Sequence, residues 1–141
     1  MSNDFRSTLM PMLPYRDAPA AIRFLCDAFG FEERMRYEMP DGSIGHAELT
    51  RGDAVISLAT VWDAGGLASA CELEALHCQL MCFVDDVEAH YARARAAGAT
   101  VITQPENQHG MRTYRALDCE GQRWIFAQQL HPLDERDTQG A

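Results

Sequence analysis

His46 and Glu48 stand two residues apart in the segment GHAEL, and their side chains suit acid–base work. On a strand they share one face, while Ala47 and Leu49 take the other. His46 then serves as hydrogen-bond partner or base, with Glu48 as acceptor. A solvated or dimer-facing strand surface has the same pattern. In GMRTYR, the group Arg112, Tyr114 and Arg115 offers a guanidinium to a carboxylate or phosphate. Plain surface charge is the competing reading for one of the two arginines. Trp124 and Phe126 alternate with Ile125 and Ala127. If Ile125 and Ala127 pack beneath helices, the two rings face a cleft where they stack on a ligand. Ordinary core packing is the other reading. Cys26, Cys71, Cys78, Cys82 and Cys119 have irregular spacing. Cys78 and Cys82 lack the second pair that a zinc knuckle needs, so small buried thiols in a reducing compartment are expected.

Composition narrows the chemistry. The 141 residues carry 12 basic and 21 acidic side chains, a net charge of −9. That field repels phosphate backbones and anionic membranes, so neither nucleic acid nor membrane is an expected partner. Every basic residue is arginine, which excludes Schiff-base and P-loop lysine chemistry. No apolar run is long enough for a membrane helix, and MSNDFRSTLMP lacks a basic region followed by a long apolar stretch. A cytoplasmic protein is therefore expected.

The elements that must position these residues read as two similar halves. Thr8–Tyr15 is an apolar strand, Asp17 caps a helix with Pro19 in its first turn, and Gly30 ends it. Ile22, Leu25, Cys26 and Phe29 share one helical face. Strands follow at Glu32–Met39, Ile44–Thr50 and Ala54–Val61. The second half repeats this with a strand at Leu76–Val84, a helix capped by Asp85 or Asp86, and Gly98 at its end. Val87, Tyr91 and Ala94 form its buried face. Further strands are expected at Thr100–Gln104, Arg112–Leu117 and Gln122–Gln128. Asp17/Asp86 and Gly52/Gly121 are 69 apart and Gly30/Gly98 are 68 apart. With the offset of 69, AVISLA (Ala54–Ala59) lies over RWIFAQ (Arg123–Gln128). The predicted fold is α+β, with two tandem βαβββ modules forming an open curved mixed sheet around a cleft. Module one spans 8–61, a linker 62–75, module two 76–130, and a polar tail 131–141. Neither half closes a large core alone, so the two should pack together.

The segments LPYRDAPAAIRFLCDAFGFEE, DGSIGHAELTRGDAVISLA and GMRTYRALDCEGQRWIFAQ resemble the vicinal-oxygen-chelate superfamily, the group of glyoxalase I, extradiol dioxygenases and bleomycin-resistance proteins. The resemblance covers roughly residues 8–130. It is strongest to small bacterial glyoxalase/bleomycin-resistance-like proteins, the PhnB-like branch among them. It implies paired βαβββ modules, a homodimer and a small-molecule ligand. It also implies, in metal-dependent members, His, Glu or Gln ligands on the first and fourth strands of each module. Those positions fall on Met10, Gln79, Ser57 and Phe126, which offer one credible donor, the Gln79 amide oxygen. No metal or other cofactor is therefore expected. The expected function is small-molecule binding without the usual metal site, with Trp124, Phe126, His46, Glu48, Ser57, Gln79, Arg112 and Tyr114 around the ligand. The alternative is a metal-dependent lyase, isomerase or dioxygenase with a displaced site at His46, Glu48 and His77. A third reading is an interaction or structural role with a filled cleft.

Overall fold

The computed structural model describes residues 8–130. The tail 131–141, expected to be polar and frayed, lies outside them. The first sheet comprises β1 (Met12–Tyr15), β2 (Glu32–Glu38), β3 (Ile44–Arg51) and β4 (Ala54–Thr60), and α1 (Ala18–Phe29) joins β1 to β2. The second comprises β5 (Leu80–Phe83), β6 (Thr100–Gln108), β7 (Met111–Leu117) and β8 (Arg123–Gln129), with α2 (Val87–Ala96) after β5. Spatial orders are β1-β4-β3-β2 and β5-β8-β7-β6. In each sheet the outer pair β1/β4 or β5/β8 is parallel, because a helix separates β1 or β5 from the rest, and the other pairs are antiparallel hairpins.

The helices start where their caps dictate. Asp17 Oδ1 accepts from the Ala20 N–H, and Asp86 Oδ1 from the Ala89 N–H, both at 3.1 Å. Gly30 stops α1 at φ +82°, a left-handed conformation in which its N–H reaches back to the Cys26 carbonyl. The linker contains two single 3-10 turns, Asp63–Gly65 and Ala70–Glu72. Three strands differ from expectation by more than one residue. β1 begins at Met12 and β5 at Leu80. β6 runs past Pro105 to Gln108. Proline is tolerated there because β6 is a sheet edge and its register shifts between Thr103 and Glu106.

Both helices lie on one side, and the core fills the space between them and the sheets. Leu13, Tyr15, Ala47, Leu49, Ile56 and Leu58 supply it from the first sheet; Tyr114, Ala116, Trp124 and Phe126 supply it from the second. Phe29 of α1 is the shared centre. Its ring centroid is 4.7 Å from that of Phe126 and 5.5 Å from that of Trp124. Each fully buried aromatic ring of this kind contributes about 2–3 kcal/mol.

Polar clamps tie the modules. The Tyr15 hydroxyl donates to Asp118 Oδ2 at 2.5 Å, and Trp124 Nε1 donates to the same oxygen at 3.1 Å. His90 on α2 contacts the Phe29 carbonyl at 2.9 Å. Arg93 donates to the Asp27 and Cys26 carbonyls at the end of α1.

Candidate functional site

With the helices on one side, the alternate residues of every strand are left on the opposite, concave face. On β4 these are Val55, Ser57 and Ala59. On β3 they are His46, Glu48 and Thr50, and on β1 Met12 and Pro14. Met12 and Glu48 flank Ser57 in register on its two sides. The linker folds back over this face. Met12, Pro14, His46, Ser57, Trp62 and Leu67 are among the residues enclosing a cavity of about 180 Å³. A second cavity of about 560 Å³ adjoins it, sharing Met12, Leu13, Pro14 and Leu67. Gly65 positions the indole: a Cβ there would sit 2.9 Å from Trp62 Cε2, so only glycine lets the ring lie against the backbone.

The polar groups of the cavity are few. Ser57 is 1% exposed, and its Oγ has no hydrogen-bond partner. His46 Nε2 lies 2.9 Å from Glu48 Oε2, and Arg34 Nε approaches the other carboxylate oxygen at 3.6 Å. A carboxylate only accepts, so Nε2 carries the proton and Nδ1 is left as an acceptor. His46 can thus bind a ligand N–H or O–H while Glu48 fixes its tautomer.

The other expected site residues are placed elsewhere. Gln79 lines a groove of about 750 Å³ on the second sheet, together with Glu74 and Arg123, and this groove meets the cavity of about 560 Å³ at Leu73, His77 and Cys78. Arg112 lies toward α2, held by Glu88 Oε1 at 2.5 Å and Asn107 Oδ1 at 3.0 Å. Tyr114 is fully buried, its hydroxyl 2.6 Å from His90 Nδ1.

The expectation that Trp124 and Phe126 face the cleft is corrected. Trp124 is 1% exposed and Phe126 fully buried, both beneath the helices; Ile125 and Ala127 take the concave face. The reason is register. Met12 pairs with Ser57, and Met81 pairs with Ile125. The equivalent of Ser57 is therefore Ile125, an offset of 68 and not 69, and a one-residue slip exchanges the faces of a strand. The helix side also needs the larger volume, which the indole and phenyl rings fill against Phe29.

This register bears on metal binding. The superfamily ligand positions become Met10, Ser57, Gln79 and Ile125: a thioether, a hydroxyl, an amide and a hydrocarbon. That donor set does not fit a hard divalent ion. Among the described residues, no three His, Cys, Asp or Glu side chains are gathered for a metal. His46 lines the first cavity and His77 the adjoining one, and the displaced trio of His46, Glu48 and His77 is not gathered at one point.

Three features escaped the sequence reading. Trp62 and Leu67 were linker residues with no periodicity to place them, although a lone tryptophan beside Gly65-Gly66 is a usable signal. His90 shares the buried face of α2 with Val87 and Ala94, a spacing that was legible. Burial drives its pKa down to about 4. Asp118 is a buried carboxylate accepting from Tyr15, Trp124 and the Glu120 and Gln122 amides. Burial raises its pKa, against the pull of those donors.

Comparison with known proteins gives a consistent picture. Residues 8–126 match the family model described as Glyoxalase/Bleomycin resistance protein/Dioxygenase superfamily. An uncharacterised protein of Mycobacterium bovis is 30% identical over 145 aligned positions, covering 100% of this chain and 95% of that protein. TioX from Micromonospora sp. ML1 superposes with a TM-score of 0.69 at 28% identity, over 91% of this chain and 100% of TioX. TnmS3, an antibiotic-binding protein from Streptomyces sp. CB03234, superposes with a TM-score of 0.66 at 22% identity, over 85% and 93%. The latter likeness is one of fold.

Proposed function

The chain belongs to the Glyoxalase/Bleomycin resistance protein/Dioxygenase superfamily, and from that premise we propose that it is a small-molecule-binding protein that works without the usual metal. The supporting observation is the linker-roofed apolar cavity with the Ser57 hydroxyl unpartnered at its floor. A buried hydroxyl left without a partner costs about 1–3 kcal/mol, which a ligand's polar group recovers. The ligand is a flat apolar molecule, extending into the adjoining cavity, with an N–H or O–H for His46 Nδ1. That TnmS3 is an antibiotic-binding protein supports this reading. The order and spacing of the segments LPYRDAPAAIRFLCDAFGFEE, DGSIGHAELTRGDAVISLA and GMRTYRALDCEGQRWIFAQ support a place in the small bacterial PhnB-like branch.

Self-association is part of the proposal. Leu9, Met81 and Phe83 are 77%, 45% and 57% exposed and border one apolar hollow between the sheets. A second copy of the chain suits such a patch. A reducing, cytoplasmic setting accords with five unpaired cysteines.

The test combines metal analysis of protein purified without chelator with a thermal-shift screen of small aromatic ligands. A ligand at a hundredfold excess over its Kd stabilises the fold by about 2.7 kcal/mol. We expect that gain to survive EDTA and to fall in Trp62→Ala and Ser57→Val. Stoichiometric zinc, nickel, iron or manganese, or loss of the gain on chelation, would overturn the reading.

A further inference from the structure

We propose that the concave face of the second sheet carries an oxyanion site in which Arg115 and Arg123 hold the carboxylate or phosphate of a small molecule. Arg115 pairs with Ile125 and Leu117 with Arg123 across β7 and β8. The two arginines are therefore diagonal neighbours with Cβ atoms about 7 Å apart. Tyr114, Ala116, Trp124 and Phe126 point under the helices, so both guanidinium stems rise from the opposite face.

Most of the other described arginines are engaged by acids or carbonyls. In a chain of net charge −9 an acid is seldom far from a base. Arg16 is held by Glu72, Arg36 by Glu33 and Arg112 by Glu88. Arg51 and Arg93 donate to backbone carbonyls. Arg23 and Arg95 lack side-chain partners, but both are exposed on helices and hydrated. Arg115 and Arg123 are half-buried, and among the described residues neither side chain has a partner. Arg123 Nε is fully sequestered and still makes no hydrogen bond. Two acids share the surroundings: Glu106 is in register with Thr113, and Glu74 lines the same groove as Arg123. Neither forms an ion pair with these arginines.

A sequestered Nε–H without an acceptor is unfavourable, and the rest of each half-buried guanidinium is open to an anion that supplies acceptors. Two arginines diagonal on one sheet face are within reach of a single oxyanion, which their forked donors suit. The Gln79 amide adds a donor in the groove that Arg123 lines. The groove lined by Leu117 and Arg123, about 750 Å³, has room for an organic body whose anion reaches back along the sheet to Arg115. Ser57 and the metal-free reading play no part in this argument.

The experiment observes the arginine Nε–Hε resonances of the full chain by NMR. Inorganic phosphate and benzoate are titrated separately at constant ionic strength set by sodium chloride. Signals are assigned from R115Q and R123Q. We expect the Arg115 and Arg123 signals to move together and saturate with at least one anion, which identifies the preferred class, while Arg112 stays put on Glu88. Each substitution should weaken binding about tenfold or more, the equivalent of one charge-assisted hydrogen bond. R115K and R123K keep the charge, lose the fork, and should weaken binding as well. Absence of saturation with both anions, or wild-type affinity in R115Q and R123Q, would overturn the proposal.

Discussion

Replacing His90 with glutamine probes the joint between the modules through its pH dependence. The Phe29 carbonyl only accepts, so His90 Nε2 bears the proton facing it at 2.9 Å, and Nδ1 accepts from the Tyr114 hydroxyl at 2.6 Å. The folded site is built for neutral imidazole. Burial lowers the pKa from 6.5 to about 4; the Arg51 and Arg93 charges act in the same direction and the Phe29 carbonyl against it. With the folded pKa depressed, the unfolded chain binds the proton first. Stability is therefore present above about pH 6.5 and is lost as pH falls toward 4. A fall of that size is worth about 3 kcal/mol, at about 1.4 kcal/mol per pH unit. The assay is urea unfolding of wild type and His90→Gln between about pH 7 and pH 4. At neutral pH the variant should be about 1–3 kcal/mol less stable, because Tyr114 and Phe29 lose well-placed partners. On acidification the wild type should lose about 3 kcal/mol more than the variant. Equal losses in the two proteins would refute the reasoning, since every other titrating group is common to both.

Three further outcomes follow from the packing. Asp118→Ala strands the Tyr15 hydroxyl and Trp124 indole N–H inside the joint and should cost about 3–5 kcal/mol by chemical denaturation. Gly65→Ala pushes a methyl against the Trp62 ring; stability should change by under about 1 kcal/mol, while tryptophan emission shifts and ligand affinity falls. Arg112→Ala removes an exposed ion pair with Glu88 and should cost under about 1 kcal/mol in the same denaturation assay.

Much of the fold was legible because its signals are local. Asp17 and Asp86 cap helices through their own side chains, Gly30 takes a left-handed turn, and period-2 alternation places His46 and Glu48 together on one face. The site was only half legible, and the loss is traceable to one residue. The repeat offset is 69 at the caps but 68 between Ser57 and Ile125. The drift lies upstream of the fourth strands: Gly30 and Gly98 are already 68 apart, Glu48 and Arg115 are 67 apart by their pairing with Ser57 and Ile125, and the longer loop between Leu117 and Arg123 restores one residue. Carried forward unchanged, the offset turned Trp124 and Phe126 outward on paper. The roof of the cavity was out of reach for another reason. Trp62 and Leu67 lie on irregular backbone, placed by the fit of an indole on Gly65 and by the Ser69 hydroxyl donating to Glu120. Such fits leave no period in the sequence.

The claim that a ligand sits beneath the linker, with no metal between it and the protein, is tested most directly by methyl and amide chemical-shift mapping. The sample is the full chain, treated with EDTA and titrated with the best stabilising aromatic ligand. Saturable shifts confined to Met12, Ala59, Val61 and Leu67, together with the Trp62 indole and the Ser57 amide, are the expected result. Shifts that map away from this cavity, or that appear only when a divalent metal is added back, would contradict it.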